Sequence, residues 1–431
     1  MKVYDAGSIR NVCLLAHGGV GKTTLLEAAC FTAKATPKLG KVDNGTSGFD
    51  TRSDEKERKM TISMHLGFCE WKDTKINVLD TPGFLDFQGD AKAALRVVET
   101  ALVLVDAADG IQVGTEIMMR YVEESGLPYM FFVNGVDGEN VHFDDVVASL
   151  RESYGTSIAP VFIPIGEGAS FSGVINLMTK AAFEYPKDGS GIGKKIDVPA
   201  AMAAKVEEMR RSLMESIAES DEELMNEYFE KGELGDEQMK LGLAKGVSAG
   251  TIHPLFCGSA LLNIGIDQFL DDIVYLCPSP LTRKEIEVVG DGKTETLALG
   301  TKEPTVAQVF KTISEEHVGE LNLVRVYNGK LALAQEYYNS SRAVVERLGN
   351  MYSVRGKDRF DVQEIGAGDI GALLKLKDTH TNDTLTDKGK SVIVPKIQFP
   401  EPLVRTAIRP KSKGDEEKIG DKAQRQCAER Q

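Results

Sequence analysis

The chain has 431 residues, which is enough for two or three domains with their own hydrophobic cores. Its apolar fraction of 42% and charged fraction of 27% are typical of a globular protein. The net charge of −14 argues against a general nucleic-acid coat, because phosphate backbones attract basic surfaces, but a local basic patch can coexist with an acidic whole.

The cysteines and the apolar runs bear on the cell compartment. The six cysteines are scattered without a Cys-x-x-Cys pair, which favours reduced, buried thiols over a disulfide framework or a metal site. The first residues lack the apolar stretch of a signal peptide, and no apolar run reaches the length of a membrane span. We therefore expect a cytoplasmic monomer with no membrane partner and no sequence-specific nucleic-acid partner.

The first motif is a phosphate-binding loop between an apolar strand at 11–15 and a helix. Small residues allow backbone N–H groups to close around phosphate oxygens at a helix N-terminus, whose dipole favours negative charge. Lys22 is expected to reach the β- and γ-phosphates, and the Thr23 hydroxyl to bind Mg²⁺. The predicted nucleotide-binding residues of this loop are Ala16, His17, Gly18, Gly19, Val20, Gly21, Lys22, Thr23 and Thr24.

A charged segment and a second strand supply the next candidates. Thr61, at the end of the charged segment, is expected to close over Mg²⁺ when a triphosphate is bound, as in GTPase switches. The strand at 75–79 leads into Asp80, a carboxylate for Mg²⁺, and Gly83, whose N–H can meet a γ-phosphate. The predicted metal ligands are Thr23, Thr61 and Asp80, and the predicted catalytic residues are Lys22, Thr61 and Gly83. The predicted nucleotide contacts of this segment are Asp80, Thr81, Pro82, Gly83 and Phe84.

Two later segments are predicted to bind the base. Asn134, Gly135, Val136 and Asp137 resemble the guanine-reading pattern Asn-Lys-x-Asp. An aspartate in the last place accepts hydrogen bonds from the ring N1–H and the exocyclic amine of guanine, a pair that adenine does not offer. The backbone N–H groups of Ser259, Ala260 and Leu261, after a strand at 253–257, are expected to meet the guanine O6.

These motifs follow successive strands that helices separate, the pattern of a doubly wound, mostly parallel sheet. Ligands bind beyond the carboxyl ends of the strands in such sheets, where every motif falls. We therefore predict an α/β P-loop GTPase domain at 1–280. Because the pattern loosens before the last motif, we expect an inserted α+β subdomain at about 160–252.

The remaining chain is predicted to form smaller units. We expect a linker at 281–303 and an antiparallel β-barrel at 304–398, with Asn328 and Gly329 as a tight hairpin turn. Residues 399–431 supply only one strand and one helix, a short α/β stub that would be the truncated start of a third domain. Such a stub is too small to bury its own apolar face, so we expect it to be the least ordered part of the chain.

In this order, the motifs resemble bacterial elongation factor G and, more narrowly, its divergent elongation factor G-like paralogues. The resemblance covers essentially the whole chain and rests on AHGGVGKTT at 16–24, EWKDTKINVLDTPGFLDF at 70–87, Ala-Gly-Asp-Ile at 367–370 and FPEPLVRTAIRPKSKGDEEK at 399–418. It implies GTP or GDP with Mg²⁺ as cofactors and the ribosome as partner. The family uses GTP to drive translocation, but most of its third domain and all of its last two are missing here. We expect that this chain does not translocate alone.

Three positions depart from the family pattern. Phe84 stands where the main members have a histidine that positions the attacking water, a role worth about 10²–10⁴-fold, although some paralogues carry an aromatic residue there. Gly135 replaces a lysine whose alkyl stem packs on the base, which is expected to weaken binding by about 10- to 100-fold. Gly19 replaces a loop aspartate, which puts any associated cation site in doubt.

Three functions are compatible with these residues. The first is a GTP-binding protein of the elongation factor G type whose hydrolysis is slow. The second is a non-hydrolysing, GTP-controlled module or remnant at the ribosome, which Phe84, Gly135 and the missing domains favour. The third, a ribosomal-protection factor of the tetracycline-resistance kind, ranks low because those proteins normally keep the histidine.

Overall fold

A computed structural model describes residues 2–290, 292–299, 304–315 and 319–401, without the side chain of residue 315. The first part is built on a seven-stranded sheet whose order is β2-β3-β1-β4-β5-β11-β6. All neighbours in it are parallel except β2 and β3. Its strands are β1 (Ile9–Leu15), β2 (His65–Trp71), β3 (Thr74–Asp80), β4 (Thr100–Asp106), β5 (Tyr129–Asn134), β6 (Ile158–Pro160) and β11 (His253–Gly258).

The central strands are almost continuously apolar and buried, as expected for parallel strands covered by helices. Helix α1 packs against α9, and α3 packs against α4. The helices of this domain are α1 (Lys22–Thr32), α2 (Ser53–Arg58), α3 (Gln88–Val97), α4 (Val113–Ser125), α5 (Phe143–Tyr154) and α9 (Ile266–Leu276). The predicted doubly wound, mostly parallel α/β architecture is confirmed.

The chain leaves this sheet after β6 and returns to it at β11. The intervening segment forms a four-stranded antiparallel sheet and three helices, an α+β unit as predicted. Its elements are β7 (Phe162–Ile165), β8 (Gly173–Asn176), β9 (Ala181–Glu184), β10 (Lys194–Ile196), α6 (Ala203–Glu219), α7 (Glu222–Lys231) and α8 (Asp236–Ala249).

An antiparallel β-domain follows, which confirms the predicted barrel class. Eight strands have the order β18-β17-β23-β14-β15-β22-β19-β20, and β16 pairs separately with β21. These strands are β14 (Val306–Glu315), β15 (Gly319–Asn328), β16 (Lys330–Ala332), β17 (Glu336–Asn339), β18 (Val344–Arg347), β19 (Asn350–Arg355), β20 (Asp358–Asp361), β21 (Glu364–Gly366), β22 (Ile370–Leu374) and β23 (Thr384–Thr386).

Two local expectations differ from the structure. The predicted linker at 281–303 contains a hairpin, β12 (Glu285–Gly290) with β13 (Lys293–Ala298), and β12 also pairs with β24 (Val392–Ile393). The predicted hairpin at Asn328 is wrong, because β15 pairs with β14 and β22 while β16 pairs with β21. In both cases a partner strand lies far away in sequence.

Three further expectations concern cysteines, membranes and the chain end. The described cysteines, at 13, 30, 69, 257 and 277, are free and buried, as predicted. Among the described residues, no helix combines the length and apolarity that crossing a membrane requires. Most of the predicted stub, residues 402–431, lies outside the described residues.

Candidate nucleotide-binding site

The phosphate-binding loop connects β1 to the N-terminus of α1. Gly19 and Gly21 have φ values of 88° and 97°, a left-handed backbone that favours glycine. The Asn134 side chain donates a 2.7 Å hydrogen bond to the carbonyl of Val20, so the end of β5 supports the loop. The loop is therefore anchored to a strand of the sheet other than its own.

Lys22 is buried within this loop. Its ammonium group donates to the carbonyls of His17, at 3.1 Å, and Ala16, at 3.4 Å. Burial lowers its pKa to about 8, although the neighbouring carboxylates of Asp80 and Asp50 oppose the shift. The positively charged ammonium group of Lys22 therefore lies near the N-terminus of α1, where binding of a phosphate is also favoured.

The three predicted metal ligands converge at one point. The Thr23 hydroxyl donates to Asp80 at 2.6 Å and lies 2.8 Å from the Thr61 hydroxyl, which donates to Asp50 at 2.9 Å. Burial raises the pKa of Asp80 to about 7 and also raises that of Asp50. One buried oxygen of each carboxylate has no hydrogen-bond partner within the described protein. This all-oxygen set fits Mg²⁺, which prefers hydroxyl and carboxylate ligands.

The segment after β3 packs directly on the phosphate-binding loop. A Cβ atom on Gly83 would lie 2.5 Å from the Lys22 ammonium and 2.8 Å from the backbone of Gly18. The Phe84 ring covers the same glycine, because a Cβ on Gly18 would lie 2.8 Å from it, yet Phe84 is 40% exposed. The Thr81 hydroxyl donates to the carbonyl of Leu14 at 2.6 Å. Position 84 therefore presents a hydrocarbon ring to the loop.

The predicted base-binding segments meet at Asn134. Its side-chain oxygen Oδ1 accepts a hydrogen bond from the Ala260 N–H at 2.9 Å, and the Ser259 N–H donates to the carbonyl of Ile264. Two of the three N–H groups predicted for guanine therefore have protein acceptors. Gly135 has a φ of 80°, so its backbone suits glycine better than the lysine of the family pattern.

The other predicted contacts differ in exposure. His17 accepts a hydrogen bond from the Gly114 N–H at 3.3 Å, so its ring is turned towards α4. Leu261 is exposed, and Pro82 and Val136 are buried. Thr24 and Asp137 are partly buried.

Sequence reasoning missed three residues beside Thr61. Asp50, Glu55 and His65 bring a carboxylate or imidazole atom to within 4.8 Å of one another. Burial alone would lower the pKa of His65, but its hydrogen bond to Glu55 and the nearby carboxylates raise it overall. Glu55 lies within the charged segment that ends at Thr61, and the burial of Glu55 and Asp50 depends on the tertiary fold.

Two family models match the chain. Residues 7–279 match the elongation factor Tu GTP binding domain, and residues 304–388 match elongation factor G domain 2. The chain belongs to the elongation factor G-like translation GTPases. The resemblance read from the motifs is thereby confirmed.

A solved structure supports the same placement. A protein from Thermus thermophilus with a known crystal structure shares 29% sequence identity with this elongation factor G-like chain. The two structures superpose with a TM-score of 0.87. The match covers 98% of this chain and 61% of that one. The chain therefore spans less than two thirds of the length of this solved relative.

Proposed function

We propose that this translation-factor-type GTP-binding protein acts at the ribosome in the cytoplasm and hydrolyses GTP slowly. The observation that carries the proposal is the convergence of Thr23, Thr61 and Asp80 beside Lys22. We propose that the chain is divided into a GTP-binding domain at 1–280, a barrel at 304–398 and the start of a third domain from 399.

The proposed ligand contacts follow from the geometry. Thr23, Thr61 and Asp80 would hold Mg²⁺, which would neutralise phosphate charge when bound. Lys22 and the backbone of the loop would hold the phosphates. Asp137 would accept hydrogen bonds from guanine, and Asn134 would keep the base-binding segments together.

Slow hydrolysis is proposed from the chemistry at position 84. A phenyl ring neither accepts nor donates a proton, so Phe84 does not orient an attacking water. Its packing on Gly18 also places an apolar surface over the loop. The same observation favours the second candidate function, a non-hydrolysing module whose binding to the ribosome is controlled by GTP.

Single-turnover GTP hydrolysis, with and without ribosomes, separates these two functions. We expect slow, ribosome-stimulated turnover by the natural chain and an increase of about tenfold or more in Phe84→His. Phe229→His, at an exposed position in α7, is the matched control and is expected to leave turnover unchanged. Turnover at background level in both the natural chain and Phe84→His would support the non-hydrolysing module.

Competition binding tests the choice of nucleotide. Unlabelled GTP is expected to displace labelled GTP at least about tenfold better than ATP does, because Asp137 pairs with guanine alone. Lys22→Ala is expected to abolish triphosphate binding, whereas Lys38→Ala, at an exposed position, is not. Equal displacement by ATP and GTP would contradict the guanine assignment.

A further inference from the structure

A histidine at the start of β2 lies between two buried carboxylates. The Nε2 atom of His65 lies 3.0 Å from a Glu55 oxygen and 3.5 Å from an Asp50 oxygen. Glu55 and Asp50 are buried, at 0% and 2% exposed, and His65 has a 14% exposed side chain. The imidazole is therefore enclosed with both acids rather than paired at the surface.

Both carboxylates act on the segment that carries Thr61. Asp50 accepts a hydrogen bond from the Thr61 hydroxyl at 2.9 Å. Glu55 accepts the backbone N–H groups of Ile62, at 3.1 Å, and Ser63, at 3.3 Å. The side chain and the following backbone of the predicted metal ligand are thus held by the two acids that His65 contacts.

We propose that His65 is a positioning residue that holds the Thr61 hydroxyl beside Thr23, where Mg²⁺ would bind. The inference rests on the proposed GTP function. His65 would affect the bound ligand only indirectly, through its contacts with Asp50 and Glu55. Two buried carboxylates this close repel each other, and an N–H donor between them offsets the repulsion and fixes their orientation. Without the donor, the carboxylates turn towards water and release residues 61–63.

Nucleotide affinities of two variants test the role. His65→Ala is expected to bind a non-hydrolysable GTP analogue with Mg²⁺ about tenfold more weakly, because one charge-assisted hydrogen bond is lost. Its GDP affinity is expected to change less than about twofold, since Thr61 is needed only for the triphosphate state. His65→Gln retains an N–H donor and is expected to recover most of the analogue affinity. His142→Ala, at an exposed position, is the control and is expected to match the natural chain.

Trypsin provides a second readout, because Lys56, Arg58 and Lys59 lie in the segment that Glu55 organises. With the GTP analogue bound, the natural chain and His65→Gln are expected to resist cleavage there, and His65→Ala to be cut at least about fivefold faster. This difference reports the order of the segment directly, independently of turnover.

Three results would overturn the assignment of His65. The first is a His65→Ala variant with the natural analogue affinity and trypsin resistance. The second is an equal loss of GDP and analogue affinity in both variants, and the third is failure of His65→Gln to fold; either of these would show a role in folding only. If the natural chain binds neither nucleotide, the proposed function fails as well. If the natural chain binds both nucleotides and one of the results above is obtained with the variants, only the role of His65 is lost.

Discussion

Asp272 shows how burial changes the chemistry of a single carboxyl group. It lies on α9, where it accepts hydrogen bonds from the Tyr275 hydroxyl and from the Asn176 amide, the latter at 3.3 Å. Burial raises its pKa to about 7. Since the ordinary value is near 4, the folded protein favours the protonated acid.

Asp272→Asn is therefore expected to change the pH dependence of stability. In the natural chain, the contribution of Asp272 to the free energy of unfolding falls as the pH rises from about 4 through about 7, because the buried carboxyl must ionise. The amide never ionises, so urea unfolding is expected to show the variant about 1–3 kcal/mol more stable at pH 8 and nearly unchanged at pH 4.

Asp43→Asn, at an exposed position, is the control and is expected to show no such pH-dependent gain. A stability difference between the Asp272→Asn variant and the natural chain that stays constant from pH 4 to pH 8 would contradict the prediction.

At the scale of elements, one carboxylate connects three segments. Asp90, in the first turn of α3, accepts the Met64 N–H at 2.6 Å just after the Thr61 segment. Both of its oxygens also accept from Lys311 on β14 of the barrel, at 2.7 Å. The side chain of Lys311 is only 8% exposed, so this ion pair is largely shielded from water.

Lys311→Ala is expected to lower the free energy of unfolding by about 2–4 kcal/mol, because it leaves a partly buried carboxylate without its cation. A double-mutant cycle with Asp90→Ala is expected to give a coupling above about 1 kcal/mol. Lys330→Ala, which breaks an exposed pair with Glu364, is the control and is expected to cost less than about 1 kcal/mol. Equal costs for the two lysine variants, measured by denaturant unfolding, would contradict the prediction.

At the scale of the whole molecule, buried polar groups join the GTPase domain to the barrel. Arg325 on β15 pairs with Glu99 at 2.7 Å, and their side chains are 2% and 4% exposed. Lys75 on β3 donates to both oxygens of Asp369 at 2.8 Å. Charges this deeply buried are stable only with their partners, so each domain supplies the counter-charges that stabilise buried charged groups of the other.

Arg325→Ala, a change in the barrel, is therefore expected to destabilise the GTPase domain. Trp71, on β2, is the single tryptophan of the chain, so its fluorescence reports unfolding of that domain. In Arg325→Ala, we expect the unfolding free energy of the GTPase domain to fall by about 3–5 kcal/mol. Lys388→Ala, which breaks an exposed pair with Glu336 in the barrel, is expected to leave it within about 1 kcal/mol. An unchanged Trp71 transition in Arg325→Ala would show that the domains unfold independently.

The sequence by itself determined the features that depend on short-range spacing. The phosphate-binding loop, the apolar parallel strands and the change to an antiparallel domain were all predictable, because the residues that define each lie within one or two elements. The proximity of Thr23 and Asp80 was also predictable, since parallel strands end at one edge of a sheet. Thr61 precedes the antiparallel strand β2, so its place beside them was predicted only from the pattern of GTPase switches.

Only the tertiary structure decided which distant segments meet. The strand after Asn328 pairs with β21 instead of β15, and the segment at 281–303 forms a hairpin whose partner, β24, lies about a hundred residues further on. The burial of Asp50 beside His65 likewise depends on how residues 50–63 fold back onto β2. Such pairings depend on loop closure and on competition among many compatible strands and side chains, which local residue patterns do not encode.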